Sequence, residues 1–156
     1  MDDELNVVVR ELAPTWIVMR EYVADGLAGV YSASIGELFL EVEGWLKLRG
    51  FETDGLRRIG VPIMQGGELR RYWCGIEAPD ALGEGDDAVA LRELAGGRYA
   101  VLTLVKDSAT IGEAIGRFHS EYVPAHELLL DPSRPPIEVY SAGKMEYCAP
   151  IQPEAS

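Results

Sequence analysis

The sequence predicts an α+β fold built from two tandem halves, each reading strand–strand–helix–strand–strand. Three observations carry the prediction. Short motifs recur in the same order: Val9-Arg10-Glu11-Leu12-Ala13 as Leu91-Arg92-Glu93-Leu94-Ala95, Ser34-Ile35-Gly36-Glu37 as Thr110-Ile111-Gly112-Glu113, and, more loosely, Tyr72-Trp73-Cys74-Gly75 as Glu146-Tyr147-Cys148-Ala149. The separation shrinks from one match to the next, as it does when the second copy has shorter loops. Each copy also carries short β-branched runs bounded by breakers, and one apolar stripe at helical spacing.

In the first copy, Asn6–Leu12 and Thr15–Val23 read as strands divided by Ala13-Pro14. Ser34, with Glu37 three residues on, reads as a capping box. Behind it Ile35, Leu38, Phe39, Val42 and Leu46 form one helical face, and Gly50 is the expected C-terminal cap. Leu56–Met64 and Leu69–Ala78 then form a hairpin around Gln65-Gly66-Gly67. The second copy repeats the scheme. Ala88–Leu94 and Arg98–Lys106 flank Gly96-Gly97, a tight hairpin signal. Thr110 and Glu113 make the second capping box, and Ile111, Ala114, Ile115, Phe118 and Tyr122 the second stripe. Pro124 is expected to stop that helix. Ile137–Tyr140 and Lys144–Ile151 close the copy around Ser141-Ala142-Gly143. The expected organisation is one domain over 1–156, with repeat one at about 5–78, a Gly- and Asp-rich linker at 79–87 and repeat two at about 88–152. Asp131–Pro136 is a Pro-rich surface loop.

Composition narrows the function classes. The chain has 156 residues, 47% of them apolar and 26% charged, which is ordinary for a globular domain. Its 14 basic against 26 acidic side chains give a formal net charge of −12. Direct nucleic-acid binding is not expected, because it depends on Lys and Arg against phosphate, and an anionic membrane surface is disfavoured likewise. Cys74 and Cys148 cannot by themselves make a disulfide framework or a zinc site. The acidic start Met1-Asp2-Asp3-Glu4 lacks a signal peptide's basic and apolar regions, and no apolar run nears the roughly 18–20 residues of a bilayer span. The expectation is a cytoplasmic protein with free thiols, no metal and no cofactor. His119 and His126 have no neighbours at metal-ligand spacing and read as structural or exposed. Arg57-Arg58 and Arg70-Arg71 read as a solvated sheet face.

Three segments carry a resemblance. Leu94-Ala95-Gly96-Gly97-Arg98-Tyr99-Ala100-Val101 is similar to the Gly-Gly-x-Tyr-Ala-Val segment of the GyrI-like, or AraC-type effector-binding, family. Ile137-Glu138-Val139-Tyr140 looks like that family's apolar-Glu-apolar-Tyr strand, and Glu146-Tyr147-Cys148-Ala149-Pro150-Ile151 like its closing strand. The resemblance covers nearly the whole chain; the second half holds the specific motifs and the first matches mainly in pattern. It implies a tandem βαββ (SHS2-type) pseudo-twofold repeat: an antiparallel sheet, two helices on one face, and a ligand cleft between the helices. It also implies small-molecule binding, often of bulky cationic aromatics and commonly in multidrug-sensing transcription regulators.

Glu138 is the central candidate. A carboxylate between Ile137 and Val139 in an apolar strand is costly to desolvate unless paired, and a ligand cation among aromatic rings would pair it. The family's acidic ligand-contacting residue maps onto it; the plain alternative is that strand alternation turns Glu138 to solvent. Glu146 and Cys148 share a face of the last strand, with Cys148 where the family has an aromatic. Their counterparts in copy one are Tyr72 and Cys74, and Tyr72 could supply that aromatic surface. Phe39, Phe118, Tyr31, Trp73 and Tyr140 complete the expected lining, while Glu37 and Glu113 are assigned to capping. The leading expectation is a stand-alone receptor, monomer or homodimer, for amphipathic, cationic or aromatic ligands. Two others follow from the family: a hydrolase opening strained cyclopropane-type electrophiles with Glu138 or Glu146, and a protein-interaction role, with a topoisomerase or a separate regulator as partner.

Overall fold

A computed structural model of the chain describes residues 5–23, 31–65, 68–79, 82, 88–105, 108–141 and 144–153. The chain divides into two compact units, a central one of Pro14–Ala95 and a terminal one of Met1–Ala13 with Gly96–Ser156. All strand pairs within them are antiparallel, which establishes the α+β class.

The central unit holds β2 (Thr15–Val23), α1 (Tyr31–Leu48), β3 (Arg58–Gln65), β4 (Glu68–Glu77) and β5 (Ala90–Leu94), its strands in the order β3-β4-β2-β5. Helix α1 lays Val42, Leu46 and Trp45 on Val18 of β2 and Ile76 of β4, and Phe39 on Tyr72 and Cys74. Gly50 ends it as expected, at φ +86°, in a Schellman motif. Phe51 N–H donates to Leu46 O at 3.1 Å and Gly50 N–H to Lys47 O at 3.0 Å, while Phe51 packs back on the core.

The terminal unit holds β1 (Val7–Leu12), β6 (Gly97–Val105), α2 (Ser108–Arg117), a π turn (Phe118–Tyr122), α3 (Val123–Ala125), β7 (Ile137–Ser141) and β8 (Lys144–Pro150). Its strand order is β1-β6-β8-β7. The helical side covers Ala100, Leu102, Met145, Tyr147 and Ala149 with Phe118, Ile111, Ile115 and Tyr122. The helical stripe read from the sequence is therefore the packed face.

Strand positions agree with the sequence to within about two residues, but three local readings change. The first strand of each repeat pairs with the other repeat: β1 with β6, and β5 with β2. Gly96-Gly97 is therefore a passage from one unit to the other and not a hairpin. Gly97 takes φ +129°, and a Cβ there would lie 2.6 Å from the Arg134 guanidinium, so glycine answers to a pivot and a close approach. Ser34 and Thr110 are the fourth and third residues of their helices, not N-caps, because the chain is already helical upstream of each. Finally, Pro124 does not stop the second helix. Ahead of it the backbone widens so that Val123 N–H reaches Phe118 O, and the helical run continues through Pro124 to Ala125. The turns at Gly66-Gly67 and Ala142-Gly143, and most of the expected linker, lie outside the described residues. No helix among the described residues is long and apolar enough to cross a membrane.

The end of α3 repeats the Schellman pattern with an unusual residue. Leu128 N–H donates to Val123 O at 3.0 Å and Glu127 N–H to Pro124 O at 3.2 Å, and Glu127 holds the left-handed conformation at φ +53°. A side chain costs roughly 1–2 kcal/mol there, partly offset by glycine's greater entropy loss. Glu127→Gly is therefore expected to stabilise the fold by about 0.5–1 kcal/mol, measured by urea denaturation.

Arg134 ties the Pro-rich loop to the strand ends. Its guanidinium donates to Ile151 O at 2.8 Å, Gly96 O and Arg98 O at 3.3 Å and Asp131 Oδ2 at 2.9 Å, and lies 4.8 Å from the Tyr99 ring centroid. The hydroxyl and backbone N–H of Ser133, then Arg134, hold the Asp131 carboxyl down at about 2. Because the folded value lies below the ordinary one of about 3.9, its stabilisation is complete above pH 4 and lost as pH falls toward 2. Melting temperatures of the parent and Asp131→Asn should differ most above pH 4 and converge near pH 2.

Candidate functional site

Alternation along β7 sorts its side chains cleanly. Ile137 and Val139, 8% and 7% exposed, face away from α2; Glu138 and Tyr140 are half-buried on the α2-covered face. Glu138 stands opposite Tyr147 of β8, and Tyr140 opposite Met145. The solvent-facing alternative for Glu138 therefore does not hold: its strand face is the one the helix covers.

Glu138 is held by its own strand, since the Tyr140 hydroxyl, two residues on, donates to Glu138 Oε1 at 2.8 Å. Across the pair, Tyr147 is buried, its ring edge-on to Phe118 at 6.1 Å and 75°. The Tyr147 hydroxyl lies 2.8 Å from His119 Nε2. Burial, with the Glu138 charge adding to it, pushes the Tyr147 phenol up to about 12, so it stays protonated at neutral pH. Desolvation lowers the His119 pKa, which keeps the imidazole neutral in the same range. The π turn places Phe118 inward and His119 beside Tyr147 from adjacent positions. The result is a carboxylate bonded to one phenol and set opposite a second, with a phenyl ring and a neutral imidazole packed against that second phenol. Such a group is equipped to hold a cation by charge and by ring faces.

The other expected residues fall elsewhere. Glu146, one residue from Tyr147, is on the opposite sheet face from Glu138 and pairs with Arg10 at 3.1 Å. Cys148 shares that face and is buried, in no disulfide. In the central unit, Phe39 and Tyr72 meet edge-on at 6.4 Å and 76° under α1, with Cys74 beside them. Burial raises the Cys74 thiol to about 12. Cys74 thus faces its helix and Cys148 faces away from its own, so the two cysteines do not share an environment as their motif match implied. Trp73 lies on the face away from α1, its Nε1–H donating to Glu21 Oε2 at 3.0 Å, while Arg71 binds the other oxygen at 2.7 Å. The Tyr31 side chain lies outside the described residues. Of the two arginine pairs, Arg57 is tied to Glu77, Arg58 to Glu43 and Arg71 to Glu21. No group of three or more metal-ligating side chains occurs among the described residues.

Tyr147 and His119 were missed as site residues. For Tyr147 a signal existed: once Ser141 pairs with Lys144 across the expected turn, the register sets Glu138 opposite Tyr147. His119 had none, because its approach depends on the π turn.

An antiparallel α+β unit with an acid-and-ring cluster under its helix is compatible with many functions, and comparison specifies the class. The sequence pattern of the GyrI-like small molecule binding domain matches residues 15–152, so the chain belongs to that family. No match was found among curated protein sequences. Among solved structures, the EcmrR C-terminal domain superposes with a TM-score of 0.72 at 11% identity, over 96% of this chain and 99% of that one. The chain spans 58% of EcmrR in its complex with DNA, with a TM-score of 0.71 at 12% identity over 96% of this chain. A hydrolase from Listeria innocua gives 0.63 at 13% identity, over 94% and 91% of the two chains. SAV2435, solved bound to tetraphenylphosphonium, gives 0.58 at 16% identity, over 94% of each. At these identities the likeness is one of fold.

Proposed function

We propose that this chain is a receptor for lipophilic aromatic cations, with Glu138 as the central carboxylate and Tyr140 as a ring contact. One observation carries the reading: Glu138 is half-buried on the helix-covered face, bonded to Tyr140 and set opposite Tyr147. A bulky delocalised cation suits this chemistry, because it is cheap to desolvate and its charge is met by a carboxylate at the edge of an apolar cluster. The structure of SAV2435 with tetraphenylphosphonium supports the choice of ligand class.

Tetraphenylphosphonium is the direct probe. Calorimetry should show saturable binding, and a hundredfold excess over Kd should stabilise the fold by about 2.7 kcal/mol. Glu138→Gln keeps the shape and removes the charge; it is expected to weaken binding by about 2 kcal/mol or more, roughly thirtyfold. An unchanged affinity in Glu138→Gln, or no binding by the parent, overturns the reading. Mass spectrometry after incubation with cyclopropane-bearing electrophiles separates this receptor from a hydrolase: product formation would replace the receptor reading with catalysis.

A further inference from the structure

We propose that His119 is a positioning residue for the Glu138 site: its Nε2 takes the Tyr147 hydroxyl proton and so keeps that proton off the carboxylate. The proposal rests on the receptor reading and names the group that sets how much of the Glu138 charge a ligand cation meets. Three observations carry it. Tyr147 stands opposite Glu138 on the covered face, a pairing that leaves the two Cβ atoms about 4.5–5.5 Å apart. The Tyr147 hydroxyl lies 2.8 Å from His119 Nε2, with the two rings edge-on at 81°. Tyr140, on the same face, donates to Glu138 Oε1 at 2.8 Å, so a phenol turned to this acid does bond it.

A phenol has one proton to donate, and Tyr147 has two acceptors to choose between. His119 Nε2 accepts it only in the tautomer that carries its proton on Nδ1. That tautomer suits the ring's place: Nε2 meets a buried phenol, while His119 as a whole is exposed and leaves its N–H to water. Protonation of His119 reverses the bond, because both ring nitrogens then donate. Nε2–H is given to the Tyr147 oxygen, and the Tyr147 proton turns across the strand pair to Glu138. Hydrogen bonds to an ionised acceptor are among the stronger ones, so a carboxylate that takes one gains less from a ligand cation. Desolvation, which lowers the His119 pKa, keeps Nε2 an acceptor at neutral pH.

Among the described residues of the terminal unit, few other charges face His119. Its own helical run carries Arg117 and Glu121, joined at 3.4 Å, then Tyr122 and His126. The covered face of β6 adds the apolar Ala100, Leu102 and Leu104, β1 adds Val7, and β8 adds Met145 and Ala149 beside Tyr147. Arg98 and Glu11 share that sheet face and stand opposite each other, four residues along β6 from the Leu102 that pairs with Tyr147.

The test compares the parent with His119→Leu and His119→Gln, by tetraphenylphosphonium affinity at about pH 7.5 and about pH 5, either side of the ordinary histidine value. Leucine offers no acceptor; glutamine offers one that does not titrate. At the higher pH His119→Leu is expected to bind about tenfold more weakly than the parent, and His119→Gln to recover most of that loss. On acidification the parent should lose about tenfold more affinity than His119→Gln, since protonation of Glu138 itself would weaken both alike. ¹⁵N spectra of the ligand-free parent at the higher pH should place the His119 proton on Nδ1. A proton on Nε2, parental affinity in His119→Leu, or equal acid losses in the parent and His119→Gln would each overturn the proposal while leaving the receptor reading standing. No phosphonium binding by the parent at either pH would overturn the receptor reading, and the control of a ligand cation by His119 with it.

Discussion

Phe118→Ala is expected to cost about 3–5 kcal/mol of folding stability, a large part of the 5–15 kcal/mol typical of a domain. Phe118 is fully buried at the centre of the terminal unit's core, among Ala100, Leu102, Met145 and Tyr147. It is edge-on to Tyr147 and stacked on Tyr122, so truncation removes both ring contacts and leaves a cavity under the helix. The π turn makes collapse into that cavity difficult, because Phe118 O accepts the Val123 N–H that fixes the turn. Phe118→Leu keeps most of the volume and should cost distinctly less, about 1–2 kcal/mol. Urea denaturation of both variants checks the order; equal losses would mean that the ring geometry, and not the filled volume, carries the effect. The alanine variant should also loosen Tyr147, whose neutral phenol depends on burial, and so lower its pKa from about 12, which ultraviolet titration reads.

The strands were legible because alternation and breakers act locally. Thr15–Val23 runs between Pro14 and the end of its β-branched run, and Lys144 opens β8 behind the turn residues. Their partners were not legible. Nothing in Val7–Leu12 distinguishes Gly97–Leu102 from a nearer strand as its mate; the choice is made by which unit can bury each face. Capping failed at Ser34 and Thr110 because Ser/Thr-x-x-Glu is also compatible with a helix interior, and only the upstream chain decides. The π turn was hidden for a related reason. It is a widening of one turn, set by Phe118 packing inward and by Pro124, which has no N–H to give the carbonyl four residues earlier. At the site, Glu138 was visible as an acid in an apolar strand. Its neighbours divided along a line the sequence does not draw: Tyr140 is on its face, whereas Glu146 and Cys148 are behind it.

Gly60→Ala should destabilise the central unit by about 2–3 kcal/mol, although alanine is ordinarily the better strand residue by roughly 0.5–1 kcal/mol. Gly60 stands opposite Cys74 on the face that α1 covers, the position that Glu138 holds opposite Tyr147 in the terminal unit. A Cβ at residue 60 would lie 1.9 Å from the Tyr72 hydroxyl oxygen and 2.5 Å from the ring carbon that bears it. Tyr72 is only 6% exposed and edge-on to Phe39, so the ring can yield only by breaking that contact. The expected sign therefore depends on Tyr72. In a Tyr72→Leu background the same alanine should be neutral, or stabilising by up to about 1 kcal/mol, and the double-mutant cycle should show a coupling of about 2 kcal/mol. An equal penalty in both backgrounds would place the constraint in the β3 backbone and not in the ring. The pairing of glycine with a buried phenol accounts for this difference between the units. Where the terminal unit presents a carboxylate beside its Phe–Tyr pair, the central unit fills the corresponding slot with its own tyrosine. The acid of the proposed site then comes from the terminal unit alone.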